Sequence, residues 1–105
     1  MSEIRQISPA DLWKALEMGA CDLVDVREPD EFASARIAGA TLNPLSCFDA
    51  AAVPQTLGRL TVISCAAGGR SMKAAEQCAR AGKTVFNLTG GLSAWMQAGL
   101  PVERG

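Results

Sequence analysis

Cys65 is the residue best placed for chemistry in this sequence, because of the elements predicted on either side of it. The apolar, β-branched run Leu60–Ser64 predicts a strand that ends at the cysteine. A glycine-containing loop at residues 66–69 follows, and then an alanine-rich helix. Loop N–H groups and the positive end of that helix would stabilise a thiolate, which is the reactive form of cysteine. The sequence therefore predicts a nucleophilic Cys65, the alternative being a small buried cysteine at a strand end.

The composition of the chain restricts which groups can assist this cysteine. The 105 residues include four cysteines and no histidine, which excludes Ser-His-Asp triads, Cys-His dyads and histidine metal ligands. Cys21, Cys47, Cys65 and Cys78 form no C-x-x-C pair, so the sequence predicts neither a metal site nor a cofactor. Two disulfides are an alternative. An N-terminus without an apolar signal segment and an ample apolar content favour reduced thiols in the cytoplasm.

Length and charge indicate one globular domain over residues 1–105. Ten lysines and arginines stand against eleven aspartates and glutamates, for a net charge of −1, and we expect no nucleic-acid partner. No window of the sequence approaches the ~18 apolar residues of a membrane span, so we expect no membrane partner either.

Predicted strands and helices alternate along the chain. The strands are residues 21–27, 39–43, 60–64 and 84–88, and the helices are residues 9–18, 29–33, 49–57, 71–80 and 92–97. This alternation over short loops predicts an α/β fold with a mostly parallel sheet covered on both faces. Ligands of such sheets bind at the carboxyl ends of the strands, and Cys65 follows a strand expected near the centre.

The distance from Cys65 to Arg70 indicates what the cysteine carries. Four residues intervene, and a loop this short closes a tight cradle around one extra atom on the sulfur. A phosphoryl group has three oxygens and needs a wider loop, so the loop size favours a terminal sulfur atom. Arg70 lies in the first helical turn, where the helix dipole disfavours a cation. We therefore expect it to bind an anion or to pair with Asp25 or Glu31.

Three motifs together resemble a known family. The loop C-A-A-G-G-R-S, the upstream D-V-R-E-P-D-E-F and the downstream G-G-L-S-A-W-M-Q-A-G-L-P-V are similar to those of single-domain rhodaneses, which are sulfurtransferases. The resemblance covers about residues 7 to 102. It implies a three-layer α/β fold with a central, mostly parallel five-stranded sheet flanked by helices. It also implies a catalytic cysteine that takes sulfane sulfur from a donor, holds it as a persulfide and passes it to a thiophilic acceptor.

The resemblance assigns roles to individual residues of this chain. The nucleophile falls on Cys65, and the substrate-binding loop falls on the residues that follow it, namely Ala66, Ala67, Gly68, Gly69, Arg70 and Ser71. The D-x-R motif and the acidic position after it fall on Asp25, Arg27 and Glu31. We interpret these three as structural support for the site, since their spacing suits a partly buried charge network.

The remaining cysteines and Trp95 are predicted mainly from their expected burial. Trp95 is expected to pack in the core against the sheet. Cys78 is expected to point inward and Cys21 to be half-buried. Cys47 is predicted on a loop, where it either has no special role or acts as a resolving thiol for Cys65.

The residue after the nucleophile bears on the sulfur donor. Rhodaneses that use thiosulfate often have a basic residue there, whereas this chain has Ala66. We therefore expect weak use of thiosulfate and a larger or less charged donor, such as a small persulfide, mercaptopyruvate or the persulfide of a partner protein. The expected acceptor is cyanide, a thiol, or a thioredoxin-like or other sulfur-accepting protein.

Three other functions are compatible with parts of the sequence. A cysteine-dependent phosphatase or arsenate reductase is disfavoured by the four-residue spacer, and a non-catalytic docking module has no need of the cysteine, glycine and arginine. A persulfide relay between two proteins cannot be separated from a small-molecule sulfurtransferase by sequence, although the apolar rim favours it.

Overall fold

The computed structural model describes residues 3–105 and shows a three-layer α/β fold. The strands are β1 (Ile4–Ile7), β2 (Cys21–Asp25), β3 (Ala35–Arg36), β4 (Thr41–Leu42), β5 (Leu60–Ser64), β6 (Val85–Leu88) and β7 (Glu103–Arg104). The helices are α1 (Pro9–Glu17), α2 (Pro29–Ser34), α3 (Gly69–Arg80) and α4 (Gly91–Gln97). Five strands form one sheet in the order β1-β6-β5-β2-β4, and every pairing within it is parallel. The predicted fold class is confirmed.

The two faces of the sheet carry separate apolar cores, because side chains alternate along each strand. Leu23 and Val62 lie in the cluster that α1 and α4 cover, and this cluster contains the fully buried Trp95. Val24 and Ile63 lie in the cluster on the α3 side, together with Cys65. The core position predicted for Trp95 is therefore confirmed.

β5 is the central strand, as predicted, and Cys65 follows its carboxyl end. Two backbone hydrogen bonds hold this end of the strand. The N–H of Val26 donates to the carbonyl of Ser64 over 2.9 Å, and the N–H of Leu92 donates to the carbonyl of Cys65 over 2.8 Å. The backbone that carries the candidate nucleophile is thus hydrogen-bonded on both sides of the Ser64–Cys65 peptide.

Several element predictions were wrong in detail. The helix expected at residues 49–57 is only a 3₁₀ turn, Ala50–Ala52, which Asp49 caps by accepting from the N–H of Ala51. Nζ of Lys83 donates to the carbonyls of Ala50 and Val53. These carbonyls therefore bond to a side chain near the start of β6 and not to N–H groups of a longer helix. The strands expected at 21–27 and 39–43 are shorter, and strands β1, β3 and β7 were not predicted.

Within residues 3–105, each helix is too short or too polar to cross a membrane. The same residues contain no group of three or more His, Cys, Asp or Glu side chains that could hold a metal ion.

Candidate active site

The sulfur of Cys65 lies inside the turn that joins β5 to α3. The backbone N–H of Gly68 donates to Cys65 Sγ over 3.0 Å. Gly68 has φ +106°, a left-handed conformation that a side chain would strain, and it is the N-cap of α3. The chain can therefore turn back over the sulfur and begin a helix within a few residues. Cys65 is 1% exposed, and the positive end of α3 points toward it.

Burial and hydrogen bonding have opposite effects on the Cys65 thiol. Burial raises its pKa, but hydrogen bonds to the sulfur lower it by more, so the net pKa lies below the usual cysteine value. The Ser71 hydroxyl gives the largest of these, and the backbone N–H groups of Ser71, Gly68 and Ala67 follow. The loop amides therefore contribute as the sequence predicted, and the arrangement favours a thiolate.

Ser71 connects the sulfur to polar groups that lie deeper in the protein. It is fully buried, and its hydroxyl oxygen lies 3.4 Å from Cys65 Sγ. The same oxygen lies 3.1 Å from the carbonyl oxygen of Gly68 and 2.5 Å from Oδ1 of Asn87, and the hydroxyl can donate its proton to either of these acceptors. One hydroxyl thus has three neighbours that can accept its proton.

Asn87 extends this polar chain to the surface, and the sequence analysis missed it. It is 4% exposed in β6, and its Nδ2 donates to Oε1 of Gln6 over 3.0 Å. Gln6 is an exposed residue of β1, and its Oε1 also accepts from the hydroxyl of Thr89. The available signal was an asparagine inside the otherwise apolar strand V-F-N-L.

Arg70 lies at the end of the loop and pairs with Glu31, one of the two partners expected for it. Its Nη1 and Nη2 reach the two carboxylate oxygens of Glu31 over 2.7 and 2.9 Å. The bond from Arg70, followed by one from the N–H of Glu28, lowers the pKa of Glu31 to about 2. This pair joins α2 to α3 and fixes the guanidinium beside the site.

Asp25 and Arg27 form a second pair, and both are 4% exposed. Nη2 of Arg27 donates to Oδ2 of Asp25 over 2.8 Å and to the carbonyl of Ala35 over 2.6 Å, and Nη1 donates to the carbonyl of Glu31 over 3.3 Å. Arg27 therefore ties the end of β2 to α2 and β3. Arg27 contacts only the backbone carbonyl of Glu31, because the carboxylate of Glu31 binds Arg70.

The start of α4 packs directly against the loop. The N–H of Ser93 donates to the carbonyl of Ala66 over 2.9 Å. Gly91 has φ +59°, and a Cβ placed on it would lie 2.5 Å from the carbonyl oxygen of Cys65. Only glycine allows α4 to approach this closely. Ala67 and Gly69 remain exposed on the outer side of the loop.

All four cysteines are free thiols. Cys78 is fully buried, as predicted, whereas Cys21 is buried rather than half-buried because β2 lies inside the sheet. Burial raises the pKa of Cys21 to about 11. Cys47 is exposed in the 3₁₀ turn Leu45–Cys47, and its role stays a prediction. Cys65 is thus the buried cysteine whose pKa is lowered rather than raised.

Comparison with known proteins finds related sequences. The family model described as "Rhodanese-like domain" matches residues 8–98. An uncharacterized protein of Synechocystis sp. is 43% identical over 93% of this chain, which spans 55% of that protein's length. Thiosulfate sulfurtransferase 16, chloroplastic, of Arabidopsis thaliana is 33% identical over 76% of this chain and 78% of its own.

A solved structure extends the comparison to the fold. The rhodanese-related protein of Thermoplasma volcanium is 29% identical, with a TM-score of 0.80 over 94% of this chain and 97% of its own. The family match and the relatives confirm the resemblance noted in the sequence at the level of the family. The chain therefore belongs to the rhodanese-like domain family.

Proposed function

We propose that the protein is a sulfurtransferase in which Cys65 carries sulfane sulfur as a persulfide. The observation that carries the proposal is the position of Cys65 Sγ, at the carboxyl end of the central strand and within 3.0 Å of the Gly68 N–H. A cradle of backbone donors stabilises a negative charge on the cysteine sulfur or on one atom bonded to it. Membership of the rhodanese-like family and similarity to a protein named thiosulfate sulfurtransferase support this chemistry.

The reaction has two steps, each a displacement at sulfur. The Cys65 thiolate attacks the outer sulfur of the donor, a new S–S bond forms, and the donor's own bond to that sulfur breaks. With thiosulfate, sulfite leaves with the bonding electron pair. A thiophilic acceptor, cyanide or a thiol, then attacks the outer sulfur, and the Cys65 thiolate is released. No cofactor takes part in this scheme.

The surroundings of the loop favour a donor other than free thiosulfate. The Arg70 guanidinium is engaged by Glu31, and the residue after the nucleophile is Ala66. A small dianion therefore finds little uncompensated positive charge. The exposed Ala67 and Gly69 offer an uncharged surface that suits a small persulfide or a persulfide-bearing protein as the donor, and a thioredoxin-like or other protein as the sulfur acceptor. We place this activity in the cytoplasm, where thiols stay reduced.

Intact mass measurement tests the proposal directly. The reduced protein is incubated with thiosulfate, with a small-molecule persulfide and with mercaptopyruvate, and each sample is weighed before and after treatment with cyanide. We expect a gain of about 32 Da, one sulfur atom, that cyanide removes. Cys65→Ser should abolish the gain, whereas Cys47→Ser, the matched control at an exposed cysteine, should retain it.

Two results would overturn the proposal. One is the absence of any gain with all three donors, after which a phosphatase assay becomes the next measurement. The other is a gain that persists in Cys65→Ser and disappears in Cys47→Ser, because the sulfur would then reside on the exposed thiol.

A further inference from the structure

We infer that Asn87 is a positioning residue: its side-chain carbonyl competes with the Cys65 sulfur for the hydroxyl proton of Ser71 and so weakens the Ser71–sulfur hydrogen bond, and Gln6 fixes the Asn87 amide in that orientation. The inference deepens the proposed function, on which it rests, by naming the groups that set the state of the nucleophile. None of the three motifs that identify the family includes Asn87 or Gln6.

The Ser71 hydroxyl is surrounded by more acceptors than it has protons. Its hydroxyl has one proton, and three acceptors surround it: Oδ1 of Asn87 at 2.5 Å, the carbonyl of Gly68 at 3.1 Å and Sγ of Cys65 at 3.4 Å. The shortest contact, to Asn87, takes the larger share of the proton. The bond from Ser71 to the sulfur, which lowers the Cys65 pKa, is therefore weaker than it would be without Asn87.

A hydrogen bond with Gln6 fixes the orientation of the Asn87 amide. Its Nδ2 donates to Oε1 of Gln6, which accepts from the Thr89 hydroxyl as well. If the Asn87 amide turned over, its carbonyl would face the Gln6 carbonyl. If the Gln6 amide turned over too, its carbonyl would replace Nε2 beside the Met72 thioether, at the 3.4 Å contact. The thioether has no proton to donate to a carbonyl. The present orientation therefore satisfies the most partners.

The consequence concerns how reactive the thiolate is. A thiolate with fewer hydrogen bonds is more basic and a stronger nucleophile, so Asn87 keeps Cys65 from being over-stabilised. The charged groups at this end of the site are the Arg70–Glu31 pair and the Asp25–Arg27 pair. β6 and α4, which also contact the loop, carry no charged residue. Substitutions at Asn87 and Gln6 leave all of these charges in place.

The test measures the rate of iodoacetamide alkylation of Cys65 against pH, in a Cys47→Ser background that removes the exposed thiol. Asn87→Leu removes the acceptor while retaining much of the volume, and the Ser71 proton passes to the charged sulfur in preference to the Gly68 carbonyl. We expect the Cys65 pKa to fall by about one pH unit, the size of one hydrogen bond to a charged group. The limiting rate at high pH should fall about threefold.

A double-mutant cycle shows that the effect passes through Ser71. Ser71→Ala should raise the Cys65 pKa more in the Asn87→Leu background than in the parent, because there the hydroxyl donates to the sulfur without competition from Asn87. Equal effects of Ser71→Ala in the two backgrounds would overturn the inference. A packing defect at Asn87 would shift the rates without this dependence on Ser71.

Gln6 provides a second variant at an exposed position, which decides the question if Asn87→Leu does not fold. Gln6→Met removes the acceptor that holds the Asn87 amide, so the amide can turn and release the Ser71 proton. We expect the Cys65 pKa to fall in Gln6→Met and to stay unchanged in Gln97→Met, a matched control on the exposed end of α4. An unchanged or raised pKa in Gln6→Met overturns the inference. Alkylation needs no sulfur donor, so this outcome is independent of whether the persulfide forms.

Discussion

Gly91 is the residue at which a single added methyl group should disturb both stability and the Cys65 loop. Two costs combine in Gly91→Ala. Alanine at φ +59° occupies the left-handed region, which costs about 1–2 kcal/mol. Its Cβ would also lie 2.5 Å from the carbonyl oxygen of Cys65 and 2.8 Å from that of Ala66, and overpacking of this kind costs about 1–3 kcal/mol. The free energy of unfolding should therefore fall by about 2–5 kcal/mol.

Gly99→Ala is the matched control, because it has the same backbone cost without the contact. Gly99 has φ +77° and nothing within 4 Å of a Cβ placed on it. Urea unfolding followed by far-UV circular dichroism gives both free energies. The difference between the two variants, about 1–3 kcal/mol, measures the contact of α4 with the loop. Alkylation of Cys65 should slow in Gly91→Ala and stay unchanged in Gly99→Ala.

Equal destabilisation by the two variants, within about 0.5 kcal/mol, would refute the reasoning, since α4 would then not press on the Cys65 carbonyl. A large destabilisation of Gly91→Ala with normal alkylation would refute only the expected effect on the Cys65 loop. In that case the loop would keep its shape while α4 moved away.

Two further predictions concern charge around the site. Ala66→Arg should lower the KM for thiosulfate, and the decrease should be larger at low ionic strength. Ala98→Arg adds the same charge just after the C-terminal end of α4 and should leave the KM unchanged. A KM for Ala66→Arg equal to that of the parent at all salt concentrations would count against this prediction. Glu31, with its pKa held at about 2 by Arg70, stabilises the fold above its unfolded pKa near 4.5, and this contribution is lost as the pH falls from about 4.5 toward 2. Glu31→Gln should therefore lower the free energy of unfolding at pH 6, and the difference in this free energy between the variant and the parent should shrink as the pH falls. For the control Glu76→Gln, at an exposed residue of α3, the difference from the parent should stay constant with pH.

The sequence was most informative where local pattern and tertiary structure agree. Leu60–Ser64 is apolar and β-branched, and the helix after it is rich in alanine, so β5, α3 and the position of Cys65 between them could be predicted. β1 could not, because I-R-Q-I has no strong pattern of its own and becomes a strand by pairing with β6. The same holds for β3 and β7, which pair over two residues each.

The candidate site divides in the same way. Cys65 and its loop form one continuous stretch, and their spacing could be read directly. The partner of Arg70 was narrowed to two residues, and only the fold selects Glu31, which is 39 positions away. Asn87 was visible as a polar residue in an apolar strand, but its contact with Ser71 joins residues 16 positions apart on different elements. Contacts of this kind depend on packing that no local pattern encodes.

The two tryptophans give the protein an optical label on one side of the sheet. Trp13 and Trp95 meet edge to face with their ring centroids 6.0 Å apart, and the indole N–H of Trp95 donates to the carbonyl of Pro101. The chain has no tyrosine, so the emission excited in the tryptophan absorption band comes from this pair alone. That emission reports the layer formed by α1 and α4, whereas Cys65 lies in the cluster under α3. Fluorescence can therefore follow the opening of one layer, while alkylation of Cys65 and Cys78 follows the other in the same sample.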